Sequence, residues 1–261
     1  MTKSLDNHHI LITGAGSGIG AAIARRLAQE GARITLAGRR DAPLQALADE
    51  LGSQHGFVVS GFDVTDPAQI AEGLARARAT FGPVSILINN AGEAPSAPFE
   101  KTSLDLWSKI MAVDLTGVFN VTQAVLPDLK LRGAGARIVN IASTAGLTGY
   151  AYVTAYCAAK HGVIGLTRAL ALELAKTGVT VNAVCPGFTD TPIIARSIEA
   201  IVAKTGRTAE EALAEFTKHN PQQRLVDPQE VADAVAWLVG PGAGAITGQA
   251  IAVAGGEVMA G

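Results

Sequence analysis

The chain has 261 residues, is 48% hydrophobic and 17% charged, and carries a formal net charge of −2. That length and apolar content suit one large α/β domain, and the near-neutral charge gives no basis for a nucleic-acid or anionic-membrane partner. The two cysteines, Cys157 and Cys185, have neither metal spacing nor a disulfide framework, so each is expected to be a small buried hydrophobe and no metal is expected.

The first predicted elements form a strand, a loop and a helix. Ile10-Leu11-Ile12 is a short apolar strand, Thr13-Gly14-Ala15-Gly16-Ser17-Gly18-Ile19-Gly20 a Gly-rich loop, and Ile23, Ala24, Leu27 and Ala28 give a helical period ending at Gly31. Glycines let a backbone turn tightly around an anion, and the following helix N-terminus offers free N–H donors and the positive end of its dipole. Gly14, Gly18 and Gly20 are spaced G-x-x-x-G-x-G rather than G-x-G-x-x-G, and an ordinary tight turn is the competing reading.

Arg33-Ile34-Thr35-Leu36-Ala37 predicts the second strand, which runs out into Gly38-Arg39-Arg40. An NAD site places a carboxylate at this strand tip, whereas a guanidinium suits the 2′-phosphate of NADP, so Arg39 and Arg40 favour NADP(H). Asp41 keeps NAD(H) open.

Phe57 to Phe62 reads as a third strand, followed by Asp63-Val64 and a helix opening at Asp66-Pro67. Asp63 is placed to accept from an adenine amino group. Val84 to Ile88 is a fourth strand, and Asn89-Asn90-Ala91-Gly92 at its end suits a backbone lying close to a ribose, or else a turn held by Asn side chains. Strands alternating with helices, with candidate groups at the strands' C-terminal edges, predict an α/β, Rossmann-like, doubly wound parallel sheet.

Ile138 to Ser143 reads as a buried strand ending in a hydroxyl. Thirteen residues later, Tyr156 and Lys160 stand four apart, one turn of a helix from each other. A phenol ionises near pH 10, and a cation one turn away is expected to lower that value toward acid–base work at neutral pH. Tyr150 and Tyr152 lack a Lys at that spacing. His161 points away from the pair and reads as structural or interfacial, and His8, His9 and His219 suggest no site.

These motifs jointly resemble the single-domain type of the short-chain dehydrogenase/reductase family: Thr13 to Gly20, Asp63, Asn89-Asn90-Ala91-Gly92, Ser143, Tyr156-x-x-x-Lys160 and Pro186-Gly187. The resemblance implies that Tyr156 is the general acid/base, that Ser143 hydrogen-bonds the substrate oxygen, and that Lys160 both tunes Tyr156 and binds the nicotinamide ribose. It implies a cofactor site of Gly14, Ser17, Gly18, Ile19, Gly20, Arg39, Arg40, Asp63, Val64, Asn90, Ala91, Gly92, Tyr156, Lys160, Gly187, Thr189 and Thr191. By position, Thr189 is assigned to the nicotinamide carboxamide and Thr191 to the region nearer the pyrophosphate. Where the family usually has an Asn that holds a water linked to Lys, this chain has Asp114, whose charge is expected to oppose Lys160 and raise the Tyr156 pKa.

After the strand Val179 to Cys185, a helical insert over about 190–221 corresponds to the family's substrate-binding lid. Its basic residues Arg196, Lys204, Arg207 and Lys218 could face an acyl-thioester phosphate, but a solvated helix face is the preferred reading. A helix from Asp227-Pro228 and a last strand from Ile246 to Val253 complete the chain. The resemblance implies a homotetramer. With no repeat or linker, one dinucleotide-binding and catalytic domain is expected over 1–261. No run of 18 apolar residues and no signal pattern at Met1-Thr2-Lys3-Ser4 is seen, so a cytoplasmic location is expected.

The reaction expected is hydride transfer between NADP(H) and a secondary alcohol or ketone, with a 3-oxoacyl-thioester as the leading substrate. The alternatives are an NAD-dependent dehydrogenase of a small cyclic or aromatic alcohol and a non-catalytic cofactor-binding scaffold.

Overall fold

Seven short apolar runs, five of them buried over most of their length, become strands of a single sheet. They are β1 (His9–Thr13), β2 (Arg33–Gly38), β3 (Gly56–Ser60), β4 (Ile86–Asn89), β5 (Arg137–Ile141), β6 (Thr180–Pro186) and β7 (Ala250–Val253). In this computed structural model, which describes residues 3–259, they pair in parallel in the order β3-β2-β1-β4-β5-β6-β7. Every residue of β1, β4, β5 and β6 is buried, as parallel strands covered by helices on both faces must be. Met1, Thr2, Ala260 and Gly261, which the expected domain and the leader reading include, lie outside the described residues.

The helices are α1 (Gly18–Gln29), α2 (Asp41–Leu51), α3 (Pro67–Phe81), α4 (Leu104–Met111), α5 (Gly117–Arg132), α6 (Thr154–Leu174), α7 (Pro192–Thr205), α8 (Ala209–Thr217) and α9 (Pro228–Val239). On one face Leu27 of α1, Leu44 of α2 and Leu238 of α9 pack with Ile10, Ile86 and Val139. On the other, Leu74 of α3, Val121 of α5 and Leu174 of α6 pack with Leu11, Leu87 and Ile138. Caps set the helix starts as the sequence implies. Asp66 accepts from Ala68 N and Gln69 N ahead of Pro67, and Asp227 with Glu230 forms a reciprocal capping box.

Because β4 lies next to β1, the winding reverses between them, and a crevice opens at the C-terminal ends of these two strands. Gly14, Asn90 and the residues around them stand there.

Three local expectations change. The third strand ends at Ser60, and Phe62 instead fills the core beside Gly73, where a Cβ would stand 2.5 Å from the ring. The last strand starts at Ala250, because Ile246 and Gly248 are held to β6 through Asn182 Nδ2 and Val181 O instead of by ladder pairing. Cys185 is buried, but Cys157 is only half-buried.

The stretch Leu104–Arg132, 29 residues, is long and apolar enough by length and composition to cross a membrane, although it lacks an unbroken apolar run. In the fold it is a core helix, laying Val118, Val121, Val125 and Leu129 inward. It is continuous through one π-helical turn at 112–116.

Candidate active site

The loop after β1 and the end of β4 are tied to each other by a hydroxyl and an amide. Thr13 Oγ1 accepts from the backbone N–H groups of Asn90 and Ala91, both at 3.0 Å, and Asn90 Nδ2 donates to the carbonyls of Thr13 and Gly14 at 3.0 and 3.1 Å. Gly14 and Gly18 adopt positive φ of 65° and 54°. A Cβ on Gly20 would stand 2.5 Å from both Asn90 Nδ2 and the Gly14 carbonyl. The cradle is therefore closed to side chains and open to a ligand lying against backbone. Ser17 precedes α1 in extended conformation, and its side chain makes no capping bond to the helix it precedes. A pyrophosphate at this helix start would meet N–H groups left free by Gly18, Ile19 and Gly20.

The remaining cofactor candidates ring the same sheet edge. Arg39 and Arg40 are exposed just past β2, Arg40 standing immediately before α2. Asp63 lies beyond β3, accepting from Thr65 N at 2.9 Å and Thr65 Oγ1 at 2.8 Å. Burial pushes its carboxyl pKa up, but the Thr65 hydrogen bonds and the Arg39 charge bring it below the ordinary value. Val64 packs against Gly117, and its carbonyl accepts from Asn120 Nδ2 at 3.1 Å. These groups fit a dinucleotide: a glycine cradle at a helix start, two exposed guanidinium groups at the β2 tip, and a fixed carboxylate beyond β3.

Ser143, Tyr156, Lys160 and Asp114 converge. Ser143 leaves β5 in extended conformation and caps a single turn by accepting from Ala145 N at 3.1 Å. Tyr156 sits in the first turn of α6 and Lys160 one turn on, with Nζ 5.5 Å from the Tyr156 ring centroid. Lys160 is buried, donates to the Ile141 carbonyl at 3.0 Å and lies 3.4 Å from Asp114 Oδ1. Asp114 is fully buried in the π-helical turn, and both its oxygens take a 3.3 Å bond from Glu93 N. Gly92 makes this approach possible, since a Cβ there would stand 2.6 Å from Asp114 Oδ1. π-helical turns gather at functional sites, and this one turns a carboxylate onto the lysine.

The electrostatics correct one expectation. The Tyr156 phenol is held above its ordinary pKa, because burial outweighs the pull of Lys160, while Asp114 pushes the same way as burial and the Ser143 side chain offsets part of it. Spacing alone shows the cation but not the loss of water. For Lys160, burial works against the charge, but the Tyr156 and Asp114 charges overcome it and raise the pKa. Burial raises Asp114 above the usual carboxylate range, with Lys160 drawing it back.

The segment after β6 lies between β7 and the Gly18 loop. Gly187 N donates to Val253 O at 3.0 Å. Thr189 is buried, its Oγ1 donating to the Gly187 carbonyl at 2.9 Å. Thr191 starts α7, its methyl 3.1 Å from where a Cβ on Gly18 would lie. Of the basic residues in the expected lid segment, Arg207 and Lys218 both pair with Glu215, and Arg196 and Lys204 are exposed, as expected of a solvated face. A cleft of about 510 Å³ lies between α8 and residues 223–228 and holds none of Ser143, Tyr156 or Lys160.

Sequence reasoning missed Thr13, Glu93 and the Ile141 carbonyl, which work through backbone atoms or a common hydroxyl, and also Glu257. Glu257 Oε1 lies 2.7 Å from the Tyr150 hydroxyl. His161 is exposed, its ring held at the Cys157 carbonyl, and His8 and His9 are bound to Ser85, Gly82 and Thr35 in structural roles.

The chain matches the short chain dehydrogenase family over residues 8–220. It is 44% identical to a provisionally named ketoacyl reductase of Streptomyces coelicolor over 255 residues, covering 96% of this chain and 97% of that protein. It is 39% identical to a cis-4-hydroxycyclohexanecarboxylate dehydrogenase of Sinomonas cyclohexanicum, covering 94% of each. Its structure superposes with a TM-score of 0.89 on a single-site variant of actinorhodin polyketide ketoreductase with NADPH, at 42% identity, covering 96% of this chain and 97% of that one.

Proposed function

The chain belongs to the short-chain dehydrogenase/reductase family, and on that premise we propose that it is an NADP(H)-dependent reductase of ketones, with 3-oxoacyl-thioesters as the leading substrate class. The observation that carries this reading is the half-buried Tyr156 phenol between the Ser143 side chain and the Lys160 ammonium. The reading treats residues 1–261 as a single dinucleotide-binding and catalytic domain with α7 and α8 as its lid. NADP(H) is held by the cradle from Gly14 to Gly20, by Arg39 and Arg40, by Asp63 and Val64, by Asn90 to Gly92, and by Gly187, Thr189 and Thr191.

When bound, the reduced nicotinamide supplies the hydride. The chain's residues handle the oxygen. Ser143 donates to the substrate carbonyl oxygen and fixes its position. Tyr156 gives its phenolic proton to that oxygen as negative charge develops there. Lys160, anchored by the Ile141 carbonyl and Asp114, stabilises the phenolate left behind. The raised pKa of Tyr156 keeps the phenol protonated at neutral pH, the form that reduction needs.

Tyr156→Phe tests the assignment. Loss of a positioned general acid costs about 10²–10⁴-fold in turnover. NADPH affinity, read from cofactor fluorescence, should change little. Retained ketone reduction would refute the role.

A second reading, oxidation of a small cyclic alcohol, is favoured by the likeness to the cyclohexanecarboxylate dehydrogenase. NADPH-against-NADH kinetics on thioesters and cyclic ketones separate the two. We also infer a homotetramer, because Phe119 of α5, Leu172 of α6 and Trp237 of α9 are large exposed apolar groups and β7 is a sheet edge. A cytoplasmic location accords with the free thiols of Cys157 and Cys185.

A further inference from the structure

Beside the Ser143 turn stands a group that the reaction does not use. The Tyr150 hydroxyl lies 2.7 Å from Glu257 Oε1 and 2.9 Å from Thr144 Oγ1, the residue next to Ser143. Its single hydrogen goes to the carboxylate, the stronger acceptor, which leaves the Thr144 hydroxyl free to donate to the phenol oxygen. The other carboxylate oxygen reaches the nicotinamide segment, 3.0 Å from the place of a Cβ on Gly187. Tyr150 also packs edge-on against Phe188, at 5.7 Å between ring centroids, and Phe188 against Phe216 of α8, at 5.1 Å. Glu257 thus joins the Ser143 turn, the Gly187 segment and an aromatic wall that leads to the lid.

Within this wall the carboxylate faces a phenol, a hydroxyl and apolar rings. The basic side chains of the adjoining region are engaged elsewhere, Arg207 and Lys218 with Glu215, and Arg224 with Glu230. Lys160 is spent on Asp114 and the Ile141 carbonyl, Arg196 and Lys204 lie exposed on α7, and among the described residues no cation pairs with Glu257, so an anionic substrate would meet its negative charge.

We propose that Glu257 determines specificity by charge, excluding ketones and alcohols that carry a free carboxylate near the reacting carbon and admitting their uncharged esters and thioesters. The proposal rests on the ketone-reductase reading and decides between its two substrate classes. A relative acts on a hydroxy acid by its name, another on a ketoacyl group, and Glu257 places this chain with the second. Two like charges about 6 Å apart at an effective dielectric constant of about 20 repel enough to cost roughly 100-fold in kcat/KM.

The test compares acetoacetate with its N-acetylcysteamine thioester, each with NADPH, in the wild type and in Glu257→Gln. Gln keeps the size of the side chain and an acceptor for Tyr150. The ratio of kcat/KM for thioester over acid should be large in the wild type and fall by roughly 100-fold in the variant. A ratio that moves by less than about threefold overturns the proposal. The wild type alone gives a second readout should the variant fail to fold: raising the salt from about 0.02 to 0.5 M screens the repulsion and should raise kcat/KM for the acid relative to the thioester, whereas a flat ratio overturns it. If the wild type reduces neither compound, the ketone-reductase reading fails, and the gate is judged by binding. In the NADP⁺ complex, 3-hydroxybutyrate should then bind far more weakly than its methyl ester, and Glu257→Gln should close that gap. Equal binding in the wild type overturns the proposal.

Discussion

Asp114→Asn removes one charge from beside Lys160 while keeping the side-chain volume and an acceptor for the Glu93 N–H. In the wild type the Asp114 carboxylate raises the Tyr156 pKa and raises that of Lys160. Its loss lowers both, so the apparent pKa of the coupled pair falls. Lys160 Nζ is 3.4 Å from Asp114 and 5.5 Å from the Tyr156 ring centroid, which puts the carboxylate on the order of 8 Å from the phenol oxygen. At an effective dielectric constant of about 20, a charge at that distance is worth about 2 kcal/mol, or about 1.5 pKa units. The assay is the pH dependence of kcat/KM for oxidation of a secondary alcohol, the direction that needs the phenolate. The alkaline-shifted limb should move to lower pH by about one unit or more in the variant. A limb that stays within about 0.3 units, with NADP⁺ still bound, would refute both an ionised Asp114 and its action through Lys160 on Tyr156.

Two further outcomes follow from the cofactor cradle and the helix caps. Replacing Arg39 and Arg40 together by Ala should reduce the preference for NADPH over NADH by about 10–100-fold, since each charge-assisted hydrogen bond to a 2′-phosphate is worth about 1.5–3 kcal/mol. Parallel kinetics with the two cofactors measure it, and an unchanged preference would mean that neither guanidinium reads the ribose. Asp227→Ala breaks the capping box of α9, in which Asp227 Oδ1 accepts from Gln229 N and Glu230 Oε2 from Asp227 N, both at 2.8 Å. The loss of about 1 kcal/mol should lower Tm by about 2–4 °C in a thermal melt while ketone reduction at 25 °C persists.

The sheet was legible because each of its signals is local. Apolar runs bounded by Gly, Pro and Asn gave strands, and Asp66-Pro67 and Asp227-Pro228 gave helix starts where the structure has them. The Tyr156–Lys160 pair was legible for the same reason, both side chains lying within one turn of one helix. What stayed hidden depends on contacts far apart in the chain. Glu257 reaches Tyr150 across 107 positions, whereas the charge of Asp114 beside Lys160 is expected from the resemblance and found there, 3.4 Å away. The upward shift of Tyr156 was missed because the i, i+4 rule counts a neighbouring charge and ignores how little water reaches it. The last strand starts later than its sequence implies because Ile246 has strand-like chemistry but spends its carbonyl on Asn182.

The wide turn at 112–116 has a consequence for how this protein can be broken. An α-helix advances about 100° per residue, so deleting one residue of the turn would restore ordinary winding from α4 to α5 yet swing position 114 around the axis. Such a shortened chain could keep its backbone bonding regular while the lysine lost its counter-ion. A single-codon deletion there would leave the winding regular but strand the Lys160 charge in the interior, at a cost to stability as well as to chemistry.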